Sequence, residues 1–264
     1  VNMAACALSF AAKLRSHTAW CCRGKLVKIG TREVNPTAEQ YADAITDDTA
    51  AVVFFKGTQL LPDLPPVVEA AHAKGVPVIV DCAAQLPPRR NLTDVLATGA
   101  DLAVFSGGKG FLGPQASGLV IGKPELVEAC RVNSAPNGGP ARGHKVGKEE
   151  VMGLVAAVEL FMAMDEDALY DTWHERIAVM QAAADGVPGV TVSTGEHFDR
   201  PNAEFAFDAA KTSHTAASVR EALAAGSPSI IAGGAGEAMV LDPHTLEPGE
   251  EETVAARVRE ILLG

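Results

Sequence analysis

VPVIVDCAAQLPPRRNLTDVLATGADLAVFSGGKGFLGPQASGLVIG, residues 76–122, decides the fold. VPVIVD (76–81) and ADLAVFS (100–106) are short, continuous apolar runs without polar alternation. Such runs read as strands buried on both faces of a sheet. Between them, residues 91–98 read as a helix closed by Gly99. Strand, helix, strand in that order predicts a parallel pair with its crossover on one face.

The alternation continues outward in both directions. AAVVFF (50–55) reads as another buried strand, and residues 65–74 as a helix with Pro at its start and Gly75 just past its end. Residues 37–45 read as a helix with Thr37 as N-cap and Gln40 as its capping-box partner. A strand is expected at 25–29 and a helix fragment at 1–12. Residues 117–122 read as a strand, 124–131 as a short helix and 133–143 as a loop. Two helices follow, at 148–164 and 165–184. Beyond them a smaller unit is expected, with strands at 190–193, 203–207, 229–232 and 238–241 and helices at 215–225 and 250–263. The predicted architecture is α/β, with a mostly parallel sheet in a large domain (1–164) and a small α/β domain (165–264).

Composition narrows the function. The 264 residues are 47% hydrophobic and 21% charged, as in a globular protein, and no apolar stretch is long enough to span a bilayer. The formal net charge of -11 opposes a polyphosphate partner, so nucleic acid is not expected. Five cysteines without regular spacing suggest no disulfide framework, and the cytoplasm is the expected location. There is no CxxC pair and no HExxH, so no metal site is expected.

Chemistry concentrates at two strand ends. Asp81 closes one buried strand, and Lys109 sits in a glycine loop just past another. Ligands in open α/β sheets collect outside the carboxyl ends of strands. A carboxylate and an amine there match the two groups that pyridoxal 5'-phosphate (PLP) requires: one to hold its pyridine nitrogen protonated, one to attack its aldehyde. Cys82, Ala83 and Ala84 are small enough to let a ring lie close. Ser106 and the backbone around Gly108 offer donors to a phosphate. Spacing alone leaves the reading open, because a strand-end Asp is often a turn former and a lysine near glycines is often a solvated loop residue.

VIVDCAAQLPPRRNL (78–92), ADLAVFSGGKGFLGPQASGLVIG (100–122) and GHKVGKEEVMGLVAAVE (143–159) resemble the selenocysteine synthase-like group of fold-type I PLP enzymes. That group includes L-seryl-tRNA(Sec) selenium transferase and a branch resembling D-glucosaminate-6-phosphate ammonia-lyase. The tail LDPHTLEPGEEETVAARVREIL (241–262) is similar to the second branch. The resemblance implies PLP as cofactor, Lys109 as the Schiff-base residue and Asp81 as partner of the pyridinium nitrogen. It also implies Gln85 near the ring or its O3′ oxygen, and Arg142, Lys145 and Lys148 as candidates for phosphate or anionic substrate groups. Its activity would be β-elimination with ammonia release from a small anionic α-amino acid, in a homo-oligomer. The selenium transferase reaction is the alternative.

The chain departs from the group at its start. The match fades before Lys25, and no Gly-rich turn precedes the apolar stretch 1–14. A helix start supplies several N–H donors to a phosphate, so its loss is expected to weaken cofactor binding. Truncation, completion by a partner subunit, and a non-catalytic scaffold each fit this departure. His144 stands where an apolar residue is expected.

Overall fold

The computed structural model describes the backbone of Ala4–Ala5 and residues 25–31, 34–56, 61–234 and 236–264. These residues divide into two compact units, Val1–Met164 and Asp165–Gly264.

In the first unit the elements are β1 (Ala4–Ala5), α1 (Ala38–Ala44), β2 (Val52–Phe55), α2 (Leu64–His72), β3 (Val78–Asp81), α3 (Asn91–Ala97), β4 (Leu102–Ser106), β5 (Gly118–Gly122), α4 (Pro124–Asn133) and α5 (Lys148–Ala163). The strands form one mixed sheet in the order β1-β5-β4-β3-β2. β2, β3 and β4 run parallel, as the two helical crossovers require, and β5 and β1 add antiparallel at one edge.

Period-two alternation along β4 explains why both faces are covered. Ala103 and Phe105 belong to a core with Phe54, Val78, Val80, Val67, Val95, Leu154 and Phe161. Leu102 and Val104 point the other way, into a second cluster with Val120 and Val127 of α4. Both sides of the strand are apolar because both sides are buried.

Asp101, at the start of β4, ties the sheet's other end together. Its carboxylate accepts from His72 Nε2 at 2.8 Å, Lys123 Nζ at 2.6 Å and the Val78 N–H at 2.6 Å. Burial alone would raise its pKa, but these three donors outweigh burial and lower it.

The second unit comprises α6 (Glu166–Ala182), β6 (Val190–His197), β7 (Arg200–Phe207), α7 (Ala216–Ala225), β8 (Ala238–Leu241) and α8 (Glu250–Leu263). Its sheet, β6-β7-β8, is antiparallel. Ile177 and Met180 of α6, Val219 and Leu223 of α7 and Val258 of α8 share one core with Phe205 and Met239.

Three expected elements are corrected. Residues 25–29 are not a strand, and the outer edge of β2 carries no partner strand among the described residues. KLVKI has strand-like composition, but an extended segment without a partner leaves its backbone groups to water, and Leu26 and Val27 are exposed. Residues 229–232 are not a strand either, because the segment closes the end of α7. Ile230 N–H donates to the Leu223 carbonyl at 3.0 Å, and Ser229 Oγ to the Ala224 carbonyl at 2.7 Å. Of the expected N-terminal helix, Ala4–Ala5 instead pairs with β5 as a short strand, and the rest lies outside the described residues. Cys6, Cys21 and Cys22 also lie outside them. No helix among the described residues is long and apolar enough to cross a membrane.

Candidate active site

Because β2, β3 and β4 are parallel, their carboxyl ends open on the same edge of the sheet. Phe55 pairs with Asp81, and Asp81 with Val104, so three chain exits lie side by side. Lys56 leaves β2, Asp81 closes β3 and Ser106 closes β4. Two ladder-like bonds extend the pairing past the strands: Lys56 N–H to the Asp81 carbonyl (3.1 Å) and Cys82 N–H to the Val104 carbonyl (2.8 Å).

The Asp81 carboxylate is half-buried, and its Oδ1 accepts the Ala83 N–H at 2.9 Å. Burial pushes its pKa up; the Ala83 bond and the positive charge of Lys109 pull against that. The structure therefore brings Asp81 and Lys109, singled out from different segments, into electrostatic reach. Lys109 is exposed at the tip of a tight turn, where its carbonyl accepts from the Leu112 N–H (2.8 Å) while Gly113 N–H bonds the Gly107 carbonyl (2.8 Å).

The glycines of this loop also have a packing reason. A Cβ on Gly110 would run into the Leu86 carbonyl, and one on Gly108 would lie 2.6 Å from Gln115 Cα. The lysine loop thus lies directly against the loop that follows Asp81, and only glycine permits that approach. Ala83, Ser106 and Gly108 are half-buried beside these loops.

Gln85 is buried at 2% exposure. Its side-chain Oε1 accepts from Lys56 Nζ at 3.3 Å, and its carbonyl accepts from Asn91 Nδ2 at 2.7 Å. Lys56 itself is 8% exposed. Sequence reading passed over this lysine. Its one sequence signal, a lysine ending an apolar run, is weak by itself; burial and the bond to Gln85 give it its significance. Cys82, between Asp81 and Ala83, is fully buried, and burial pushes its thiol up to about 12. It is a packing residue and not a nucleophile at neutral pH.

Arg142, Lys145 and Lys148 follow α4 in the chain, outside the loops after β3 and β4. Arg142 lies in a single 3₁₀ turn, Arg142–His144, and all three side chains are exposed. Lys148 Nζ lies 3.9 Å from Glu149 Oε1. Among the described interactions none links them to Asp81 or Lys109. In the second unit, His244 stands edge-on to Trp173, with ring centroids 4.4 Å apart, and its Nδ1 bonds Asp242.

The edge residues fit PLP on two observations of this structure. A half-buried carboxylate whose pKa is raised by burial is stabilised by a cationic N–H partner, which a pyridinium nitrogen supplies. An exposed primary amine within its electrostatic reach is free to meet an aldehyde.

Comparison with known proteins agrees. Residues 18–144 match the aminotransferase class-V family. A 5'-C-glycyluridine monooxygenase-decarboxylase from Streptomyces sp is 35% identical over 91% of this chain and 61% of its own length. D-glucosaminate-6-phosphate ammonia lyase from Salmonella typhimurium is 34% identical over 52% of this chain and 36% of its own. A solved D-glucosaminate-6-phosphate ammonia-lyase superposes with a TM-score of 0.66 at 27% identity, covering 91% of this chain and 64% of that one. The chain thus spans less than two thirds of the length of these relatives. The resemblance to this family implies PLP as cofactor. On sequence and fold together, the chain has the fold of the fold-type I PLP enzymes, and residues 18–144 resemble their aminotransferase class-V family.

Proposed function

We propose that this chain binds PLP through Lys109 and acts on a small anionic α-amino acid, releasing ammonia after loss of a β-substituent. The observation that carries the reading is the placement of Asp81 and Lys109 at one sheet edge, within electrostatic reach of each other. When bound, PLP supplies an aldehyde for the amine and a ring that withdraws electrons from the substrate Cα. Asp81 holds the proton on the ring nitrogen, and the backbone N–H of Ala83 keeps that carboxylate oriented. Lys109 bonds to the cofactor. Its Nζ would also be the base that takes the substrate Cα proton. Ser106 and the Gly108 backbone would hold the phosphate, and Gln85 would bond the ring oxygen. Arg142, Lys145 and Lys148 are the cations offered to the substrate's anionic groups, in this subunit or across a homo-oligomer interface.

A second reading has an observation in its favour. The glycyluridine monooxygenase-decarboxylase matches 91% of the chain, whereas the curated ammonia lyase matches 52%. On that reading the bond broken at Cα is the one to the carboxylate, on an α-amino acid carried by a nucleoside. Parallel assays of ammonia from phosphorylated amino-sugar acids and of carbon dioxide from glycyl nucleosides separate the two. Ammonia release, abolished by Lys109→Ala, is the expected outcome. Carbon dioxide without ammonia replaces the first reading with the second, and full activity in Lys109→Ala contradicts both.

A further inference from the structure

The buried Lys56 has no part in the chemistry assigned so far. It leaves β2 beside Asp81, its N–H bonds the Asp81 carbonyl, and its ammonium reaches under the loop after β3 to Gln85. Burying an ammonium is costly unless something is gained from it. Here the gain can be read from the partners. Lysine can only donate, so the Gln85 atom that meets it must be the amide oxygen. The amide nitrogen is then the end of Gln85 left to serve the sheet edge. Asn91 fixes the other side of the same residue by donating to its carbonyl at 2.7 Å. Lys56, Gln85 and Asn91 are all nearly buried, at 8%, 2% and 2% exposure, and together they bridge the end of β2 to the start of α3.

We infer that Lys56 is a positioning residue that holds Gln85 in one amide orientation, so that Gln85 presents a donor to an anionic oxygen of the bound cofactor. The inference rests on the PLP reading and adds a residue to it. Lys56 works at a distance from the chemistry, through its hydrogen bond to Gln85. The charged or titratable groups on the adjoining segments are Asp81 at the end of β3, Cys82 just past it and Lys109 after β4.

The test is a pH titration of the visible absorbance of the PLP-loaded protein, with PLP affinity measured by fluorescence on the same samples. Lys56→Met is expected to weaken PLP binding about tenfold and to raise the pH midpoint of the absorbance change by about one unit, since the donor that Lys56 orients on Gln85 favours the deprotonated oxygen. Gln85→Leu is expected to do the same, and the double variant to be no worse than Gln85→Leu alone. Lys56→Arg is expected to restore most of both readouts. Should Lys56→Met fail to fold, Lys56→Gln, which keeps a donor without the charge, takes its place in the cycle. Wild-type midpoint and affinity in the lysine variant, or losses that multiply in the double variant, would overturn the inference and leave the PLP reading standing. Wild-type protein that develops no band with PLP overturns both.

Discussion

Gly110 is the residue on which the site's geometry depends most directly. Its backbone lies against the Leu86 carbonyl, where a Cβ has no room. Gly110→Ala must push the lysine loop away from the loop after Asp81. Overpacking of this kind costs about 1–3 kcal/mol. The expected result is a lower unfolding midpoint in urea together with reduced PLP loading, because Lys109 is the next residue. Asp101 acts at the opposite end of the sheet. Asp101→Asn keeps the shape but leaves the Lys123 and His72 donors without a charge, at a cost of about 2–3 kcal/mol. The sign with pH follows from its depressed pKa. The stabilisation is fully present above the unfolded value near 4 and fades as pH falls through the folded value below it. Acid denaturation curves of wild type and Asp101→Asn should therefore converge at low pH. Asp81 runs the other way. Its folded pKa lies above the ordinary value, so its ionisation weakens the folded state as pH rises, until a cationic partner binds it.

At the scale of elements, α1 is short, and its start is held by a complete capping box. Thr37 Oγ1 accepts the Gln40 N–H, and Gln40 Oε1 accepts the Thr37 N–H at 2.9 Å. Thr37→Ala should lower stability by about 1 kcal/mol, readable as a shift in the urea midpoint without loss of PLP binding. This box was visible in the sequence, as were β2, β3 and β4, because capping and buried strands are decided by local residue type. Residues 229–232 were misread for a physical reason. SIIA has strand composition, but its backbone donors serve the end of α7, a choice made by chain geometry and not by hydrophobicity. β6 was read too short because its second half, TGEH, carries no apolar alternation and is held as strand by pairing with β7. The hairpin between them turns through Phe198 and Asp199, at φ 55° and 61°, with none of the Gly or Asn that would announce it in a sequence. The site divides in the same way. Asp81 and Lys109 could be singled out because they stand at strand ends inside the VIVD and SGGKG segments that carry the family resemblance. Lys56 was not, because its significance comes from burial and from Gln85, which only folding brings to it.

For the whole molecule, the net charge of -11 bears on the choice among reactions within the family. An acidic surface repels a polyanion, and protein–nucleic acid affinity depends steeply on neutralised phosphates. The account predicts no salt-dependent retention of tRNA by the pure protein in a filter-binding titration at low salt. Retention there would favour a selenium transferase reaction over one on a small amino acid.

The account's central claim is that Lys109 carries the cofactor. It is tested most directly by adding PLP to the purified protein, recording its visible absorbance, reducing with borohydride and mapping the labelled peptide. The predicted result is a band that survives as a reduced adduct on Lys109, absent in Lys109→Ala. A label on Lys56 or on a surface lysine, with Lys109 unmodified, would contradict the claim.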